Sequence, residues 1–239
     1  MLLVKKLCII ISFIFIFQKQ NNYLKIFGND YKNAINYFID NKTVFENYFS
    51  DYNVDIEILT SIIFPERIRY SIVKDYFETT FLELFYVENG SSKVDFSIGD
   101  FQIKPSFAEK IEFYIKNNPY LNHKYEILLN YDTKEISEIR KKRVERLKNK
   151  KNQIVYISAF YDIVKSKFYL LKKSKSEKIK FFATAYNYGF DKSQNVLEKH
   201  LNDEFFPYGT SYPQKQYSYS DISLYFYRNE YFLIFNKKN

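Results

Sequence analysis

Three glutamates stand in or beside apolar runs, where a carboxyl group can acquire a raised pKa. Glu66 follows the run Ile-Ile-Phe-Pro, Glu83 lies inside Phe-Leu-Glu-Leu-Phe, and Glu78 precedes that second stretch. Apolar surroundings disfavour the ionised carboxylate, so such a group can stay protonated near pH 7 and serve as a general acid. The competing interpretation is an ion pair with a nearby base, for example between Glu66 and Arg67 or Arg69.

Two short motifs contribute further polar side chains. Segment 99–105 reads G-D-F-Q-I-K-P and segment 183–189 reads A-T-A-Y-N-Y-G. They resemble G-L-M-Q-I-x-P and A-x-A-Y-N-x-G, two motifs of the lytic transglycosylases and goose-type lysozymes. Segment 152–160 resembles the helix that precedes the second motif in that family. The order, spacing and helical setting of the motifs make the resemblance more specific than either motif alone, and it covers roughly residues 54–190.

The resemblance implies a mainly α, lysozyme-like single domain with a central apolar helix and a cleft. It also implies an enzyme that cleaves the β-1,4 bond between N-acetylmuramic acid and N-acetylglucosamine in peptidoglycan glycan strands. One glutamate would protonate the glycosidic oxygen and then take the proton of the sugar's own 6-hydroxyl, which closes to a 1,6-anhydro end. Neither a second carboxylate nor a cofactor enters this scheme.

The same resemblance assigns substrate-binding residues. Gln102 would position the acetamido group of the substrate, and Tyr186 would lie close to the acid and the muramyl sugar. Gly99 would allow close backbone approach, and Asn187 completes the predicted substrate-binding set.

The position of the acid departs from the family pattern. Glu83 lies 19 residues before Gln102, which is closer to the family spacing than the 36 residues that separate Glu66 from Gln102. Glu66 has the more suitable setting, because Pro65 is expected to end a helix over residues 54–64 and nothing interrupts the stretch around Glu83. We therefore predict Glu66 as the acid and keep Glu83 as the alternative.

Two alternative functions stay open at this point. Asp100 replaces a leucine of the family motif and Asp95 lies just upstream, and either could hold a water and turn the reaction into lysozyme-type hydrolysis. Loop solvation is the favoured interpretation of both aspartates. The uncertain position of the acid also motivates a catalytically inactive relative, which would bind peptidoglycan or an envelope partner without turnover.

The first 20 residues have the form of a signal peptide or an N-terminal anchor. Lys5 and Lys6 precede an apolar run over 7–17, which is too short to span a bilayer comfortably. No small-residue cleavage site follows, so the segment is able to remain as a membrane tether. We predict export to the periplasm or cell envelope; the alternative is a buried first helix.

Charge and residue counts narrow the classes of ligand. The formal net charge is +8, which suits anionic surfaces such as cell-wall polymers. The strip 140–151 is rich in Lys and Arg, so nucleic acid is a third hypothesis, but we read the strip as a solvated helix face, and the export signal argues against that hypothesis. Cys8 is the single cysteine, and His123 and His200 lie far apart, so we expect no metal site.

Hydrophobic periodicity predicts helices throughout a single domain over 21–239. Ser106 and Glu109 have the spacing of a capping box, Pro119 should separate two helices, and Gly189 should end a later one. The tail after Pro207 should close with a short helix or a pair of strands. Helices are expected at 22–50, 54–64, 68–87, 133–151, 152–170, 176–188 and 191–202, with a loop at 88–92.

Overall fold

The computed structural model describes residues 21–73 and 79–236. The predicted signal or anchor at 1–20 and the third glutamate, Glu78, lie outside the described residues. Helices dominate this part of the chain, and two isolated antiparallel bridges, Ile98–Ile103 and Phe206–Tyr217, are its only β pairing. The prediction of a mainly α chain is confirmed.

The α-helices follow one another with short connections, and each is named here by its order in the described chain. They are α1 Tyr23–Phe27, α2 Asn29–Asp40, α3 Lys42–Asp51, α4 Ile56–Val73, α5 Thr79–Asn89, α6 Pro105–Lys116, α7 Pro119–Tyr125, α8 Ile136–Lys148, α9 Lys150–Lys167, α10 Lys175–Thr184, α11 Gln194–Lys199, α12 Tyr219–Phe226 and α13 Phe232–Phe235. Short 3-10 or π turns extend three of them, at Glu126–Leu128, Ala185–Gly189 and Tyr227–Tyr231.

Helix α4 lies at the centre of the core. Every residue from 58 to 66 is buried, and the helix packs against α2, α10 and α12. The rings of Phe64 and Phe226 stack with centroids 4.4 Å apart, which fixes α12 against α4. Burial on all sides explains why the sequence of α4 reads as a continuous apolar run rather than as an amphipathic stripe.

The prediction that this helix ends at Pro65 is wrong, because α4 continues to Val73. A proline inside a helix removes its own N–H, which leaves the carbonyl of Ser61 without its helical donor, and its ring crowds that carbonyl. The fully buried Phe64 and Ile68 on either side hold the next turns in place. Glu66 and Arg69 consequently lie one turn apart within a single helix.

The predicted capping box at Ser106 is also wrong. Helix α6 begins at Pro105, whose fixed φ suits the first helical position. The carboxylate of Asp95 accepts hydrogen bonds from the backbone N–H of Ser106 at 3.0 Å and from its hydroxyl at 2.7 Å. Glu109 instead accepts a bond from the hydroxyl of Tyr86 at 2.8 Å. The carboxylate at the N-terminus of α6 is thus that of Asp95 in the preceding loop, where a negative charge stabilises the helix.

Helix α10 begins with a true capping box between Ser174 and Glu177. It continues as a π turn over Ala185–Gly189, and Gly189 ends it with φ of +123°. A π turn widens the helix and often occurs at functional sites. Here it buries Tyr186 while leaving Asn187 and Tyr188 exposed.

The basic strip at 140–151 is largely engaged with the rest of the molecule, rather than being a purely solvated face. Arg143 is buried and donates to both carboxylate oxygens of Glu112, at 2.9 and 2.6 Å. Arg140 donates to the carbonyl of Glu88, and Arg146 donates to the carbonyl of Leu128. Within residues 21–73 and 79–236, no helix has both the length and the apolarity needed to cross a bilayer.

Candidate functional site

A pocket of about 410 Å³ lies where four parts of the chain meet. Helix α4 contributes Glu66 and Arg69, and the loop before α6 contributes Gln102 and neighbouring side chains. The π turn after α10 forms a third wall, and the loop 207–209 forms the fourth. A volume of this size is typical of small-molecule sites.

Glu66 is buried at the inner wall of this pocket, with 3% of its surface exposed. Both of its carboxylate oxygens lie 2.9 Å from Nη1 of Arg69. Burial raises the pKa of Glu66, and the positive charges of Arg69 and Lys104 offset that increase only in part. A carboxyl group with a raised pKa facing a cavity is suited to proton transfer.

Arg69 links three walls of the pocket. Besides its bonds to Glu66, its Nε donates to the carbonyl of Pro207 at 3.2 Å, and its Nη2 lies 3.4 Å from Oδ1 of Asn187. The guanidinium also lies over the ring of Phe206, 4.9 Å from the ring centroid. A planar, always charged group with this many contacts fixes the orientation of the Glu66 carboxylate.

Gln102 lines the pocket from a strained backbone position. Its φ of +53° is uncommon for a residue with a side chain, and such outliers cluster at functional sites. The side-chain amide of Gln102 donates to the carbonyl of Gly99 at 2.9 Å. The bridge between Ile98 and Ile103 closes this tight loop and presents the Gln102 amide at its tip.

Gly99 lies behind the pocket rather than in its lining. With φ of +72°, a Cβ on Gly99 would come within 2.6 Å of the carbonyl of Leu147 and would overlap the side-chain amide of Gln153. Gln153 in turn accepts a bond from the backbone N–H of Phe101 at 2.9 Å. The group that approaches Gly99 closely is therefore Gln153, so the observed role of Gly99 is packing of the loop against α9.

Tyr186 and Asn187 both reach the pocket from the π turn. The hydroxyl of Tyr186 donates to the carbonyl of Phe101 at 2.8 Å, which joins the turn to the loop that carries Gln102. Burial and the charge of Glu66 raise the pKa of Tyr186 well above its usual value, so its hydroxyl is a neutral donor. Asn187 is exposed and offers its amide to a ligand.

The alternative acid Glu83 and the aspartate that replaces a leucine in the first motif both lie outside the pocket lining. Glu83 lies outside the pocket lining, between α5 and α8, where it pairs with Lys148 at 2.7 Å and keeps 17% of its side chain exposed. Asp100 is also outside the lining, held by Arg67 at 3.0 Å and by the hydroxyl of Tyr37 at 2.8 Å. Of the predicted residues, the pocket brings together Glu66, Gln102, Tyr186 and Asn187 and leaves out Gly99 and Glu83.

Several lining residues were not predicted as part of a site. Lys104 lies within the first motif, Lys110 follows it and Tyr188 lies within the second, so proximity to the motifs was an available signal. Tyr208 comes from the tail, which lies beyond the segment that resembles the family. No pattern in the sequence indicated that the tail would form a wall of the pocket.

A metal site would need several ligating side chains close together. Among the residues that the structure describes, no three His, Cys, Asp or Glu side chains are placed to share a metal ion. The polar side chains that line the pocket carry carboxyl, amide, guanidinium, ammonium and hydroxyl groups.

No protein-family model matches the chain, and no curated protein or solved structure is significantly similar to it. Function is consequently inferred from the pocket and from the two motifs. Together these provide a proton donor of raised pKa, two amides and exposed aromatic rings around one cavity. This combination suits acid catalysis on a polar ligand such as a carbohydrate.

Proposed function

We propose that this chain is a peptidoglycan lytic transglycosylase with a lysozyme-like domain, and that its pocket is the active-site cleft. The observation that carries the proposal is the burial of Glu66 in a pocket that also holds Gln102 and Tyr186. These residues come from three distant parts of the sequence and were assigned from the motif resemblance and the apolar setting of Glu66. Their meeting at one cavity supports that resemblance.

The proposed reaction uses Glu66 as both acid and base. The protonated carboxyl gives its proton to the glycosidic oxygen between N-acetylmuramic acid and N-acetylglucosamine, and the bond from that oxygen to the anomeric carbon of the muramyl sugar breaks. The Glu66 carboxylate then removes the proton of the 6-hydroxyl of the same sugar. The 6-oxygen bonds to the anomeric carbon, which gives a 1,6-anhydro end and restores protonated Glu66 without consuming water.

The lining supports transglycosylation over hydrolysis. An inverting hydrolase needs a second carboxylate that is free to activate water. Asp95 and Asp191 are the other carboxylates of the lining. Asp95 accepts two hydrogen bonds from Ser106, and Asp191 pairs with Lys110 at 3.0 Å. Both carboxylates already have partners in the free protein, so we favour the 6-hydroxyl of the sugar as the nucleophile.

The rim of the pocket carries surfaces that suit sugar rings. Tyr188 is 42% exposed and Tyr208 is 49% exposed, and both line the cavity. The ring of Tyr188 stacks on His200 with centroids 4.1 Å apart, which holds it in a fixed orientation. Flat aromatic faces beside amide donors match the alternating apolar and polar faces of a glycan.

One observation favours a second candidate, a binding protein without catalytic activity. The contact between Glu66 and Arg69 is the geometry of a stable ion pair, and an ionised carboxylate has no proton to donate. In that case the protein would hold peptidoglycan or an envelope partner through the same pocket. Binding of sacculi without turnover would distinguish this function from the enzyme.

The cellular location belongs to the same proposal. An enzyme that acts on peptidoglycan needs access to the periplasm or cell envelope, and the signal or anchor predicted at 1–20 would provide export. Cleavage of that segment would release the protein, whereas its retention would leave a membrane tether. Detection of the mature N-terminus by mass spectrometry, together with cell fractionation, tests both parts.

The decisive experiment compares three proteins on purified peptidoglycan sacculi. The unaltered protein should release muropeptides with 1,6-anhydro ends, which mass spectrometry identifies by the loss of one water. Glu66→Gln should bind sacculi but release no muropeptides. Glu83→Gln should act like the unaltered protein. Absence of anhydro products over a range of pH would refute the enzyme, and loss of activity in Glu83→Gln alone would move the acid to Glu83.

A further inference from the structure

We propose that Arg69 and Lys104 form an anion subsite of this pocket, and that a ligand carboxylate bound there is coupled to proton uptake by Glu66. The inference rests on the proposed function of the pocket as a glycan site, and it names the chemical class of the glycan. The ligand would be an acidic sugar strand rather than a neutral one. Arg69 would act as the positioning residue that couples the bound anion to the acid.

The charged side chains of the lining nearly all have internal partners. Its three acids are Glu66, Asp95 and Asp191, and its three bases are Arg69, Lys104 and Lys110. Asp191 is bound to Lys110, and Asp95 is bound to Ser106. No hydrogen bond or ion pair of the Lys104 side chain is found within the described part of the chain, and that side chain is exposed. The pocket therefore presents one cation available for a ligand.

Arg69 has capacity for a second anion on its outer edge. Both bonds to Glu66 use Nη1, and Nε is used by the carbonyl of Pro207. Nη2 makes only the long contact of 3.4 Å with Asn187. The Arg69 side chain is 21% exposed, so its free N–H groups can reach a ligand in the pocket. A guanidinium can bind carboxylates on two edges at once.

The coupling to Glu66 follows from the charge balance. Three acids and three bases leave the free pocket neutral when Glu66 is ionised. A bound carboxylate adds one negative charge in a partly buried site, where the charge of Arg69 would then be shared between two anions. Protonation of Glu66 restores neutrality, and the proton comes from solvent. A carboxylate ligand would thus convert the ion-paired glutamate into the protonated acid.

The groups that face Glu66 support this direction. Burial is the largest influence and raises the pKa of Glu66, while the charge of Arg69, hydrogen bonds from Tyr219 and Arg69, and the charge of Lys104 lower it. Tyr219 and Tyr186 both lie beside Glu66 as neutral phenols. The two cations that lower the pKa are the two that would bind the ligand. Neutralising them leaves only the hydrogen bond from Tyr219 to oppose burial, so the pKa of Glu66 rises further and its protonation becomes more favourable.

A carboxylate could come from two places on a peptidoglycan strand. It could be the lactyl carboxylate of a muramyl sugar that carries no peptide, or a carboxylate of the attached peptide stem, since the stem is joined through an amide that removes the lactyl charge. The shared chemistry is a carboxylate near the sugar ring. The choice decides whether the site prefers bare or peptide-bearing strands.

Calorimetric titration of the full chain with uncleavable disaccharides tests the coupling. The probes are N-acetylglucosaminyl-N-acetylmuramic acid, the same disaccharide with a dipeptide stem, and chitobiose as the neutral match. Titration in buffers of different ionisation enthalpy gives the number of protons taken up per ligand. When an acidic probe binds at a pH just above the pKa of Glu66 in the free pocket, the protein should take up about one proton, and well below that pKa it should take up none. Binding of chitobiose should cause no proton uptake.

Variants assign the effect to named residues. Glu66→Gln should bind the acidic disaccharide without proton uptake. Lys104→Gln, at an exposed position, should weaken binding of the acidic disaccharide about tenfold and leave chitobiose unchanged. Lys141→Gln, an exposed change on α8, is the control and should alter neither. Arg69→Gln should abolish proton uptake. In this variant Glu66 has no neighbouring guanidinium even before the ligand binds, so it is already protonated in the free protein.

Each outcome decides between the two proposals. Equal affinity for the acidic disaccharide and chitobiose would overturn the anion subsite and leave glycan binding intact. Tighter binding of the acidic probe without proton uptake at any pH from about 5 to 9 would overturn the coupling. Uptake with the stem-bearing probe alone would place the carboxylate on the peptide. If no probe binds while sacculi are still cleaved, the subsite fails and the proposed function stands.

Discussion

Glu66 and Arg69 lie one helical turn apart on α4, and both oxygens of the carboxylate reach the same guanidinium nitrogen at 2.9 Å. The pair is formed inside a pocket, with the glutamate almost fully buried. Removing either partner of such a pair leaves the other uncompensated in a poorly solvated site. We therefore expect the same contact to influence the proposed activity, the choice of ligand and the stability of the fold.

The first prediction concerns the proton of Glu66. Glu66→Gln keeps the shape of the side chain and its capacity to accept a hydrogen bond, but it removes the transferable proton. We expect the rate of release of anhydro-muropeptides to fall by about two to four orders of magnitude, with far-ultraviolet circular dichroism unchanged. Activity within a few-fold of the unaltered protein would show that Glu66 is not the acid.

The second prediction concerns stability and pH. Burial raises the pKa of Glu66 in the folded protein above the ordinary value of 4.5. A group with a raised folded pKa contributes stability that is complete below its unfolded pKa and is lost as pH rises through its folded pKa. Glu66→Gln lacks this titration. Its denaturant midpoint relative to the unaltered protein should therefore rise as pH increases from about 4 to 8.

Measurement of both proteins by urea denaturation at several pH values tests this. A constant difference in midpoint across the range would mean that Glu66 has the same proton affinity folded and unfolded. A difference that falls with rising pH would mean that Arg69, rather than burial, controls the titration. Glu83→Gln serves as the control, since that carboxylate pairs with Lys148 and lies outside the pocket.

Sequence reasoning identified the setting of Glu66 from the apolar run before it, and it identified Gln102, Tyr186 and Asn187 from their motifs. It wrongly placed the end of the helix at Pro65. The helix continues because burial on every side of α4 outweighs the loss of one N–H, and that burial depends on tertiary packing against α2, α10 and α12. The wall at 207–209 could not be predicted, since its place against Arg69 is set by tertiary contacts with no local pattern. The capping box failed because the Asp95 carboxylate, 11 residues earlier in the chain, had the better geometry for Ser106.

The third prediction tests the packing of the first motif. At Gly99 an added Cβ would meet the carbonyl of Leu147 at 2.6 Å, and φ is +72°. We expect Gly99→Ala to lower the free energy of unfolding by about 2 to 4 kcal/mol, from backbone strain and from the clash together. Gly28→Ala is the matched control, because Gly28 also has a positive φ, of +53°, but faces open space.

Urea denaturation of both glycine variants separates the two causes. Gly28→Ala should lose only the strain component, about 1 to 3 kcal/mol, because its φ of +53° and ψ of −116° suit glycine alone. Equal losses in both variants would show that the contact with Leu147 and Gln153 relaxes at no cost. Residual activity of Gly99→Ala also reports on the site, since a displaced loop moves Gln102 and should weaken glycan binding.

The fourth prediction concerns the aromatic rim. Tyr188 lines the pocket with 42% of its surface exposed, and its stacking on His200 fixes the ring before any ligand binds. A preordered ring loses little conformational freedom on binding, so its contact with a sugar contributes nearly in full. Tyr188→Ala should weaken binding of chitobiose and of the acidic disaccharide alike, by about five- to tenfold, whereas Tyr188→Phe should retain most of the affinity.

Tyr169→Ala is the control, because Tyr169 is 60% exposed and lies outside the lining. Affinity that is insensitive to Tyr188→Ala for both sugars would remove this face of the pocket from the glycan path, and a loss restricted to the acidic disaccharide would mean that Tyr188 acts on the charged group rather than on the sugar ring.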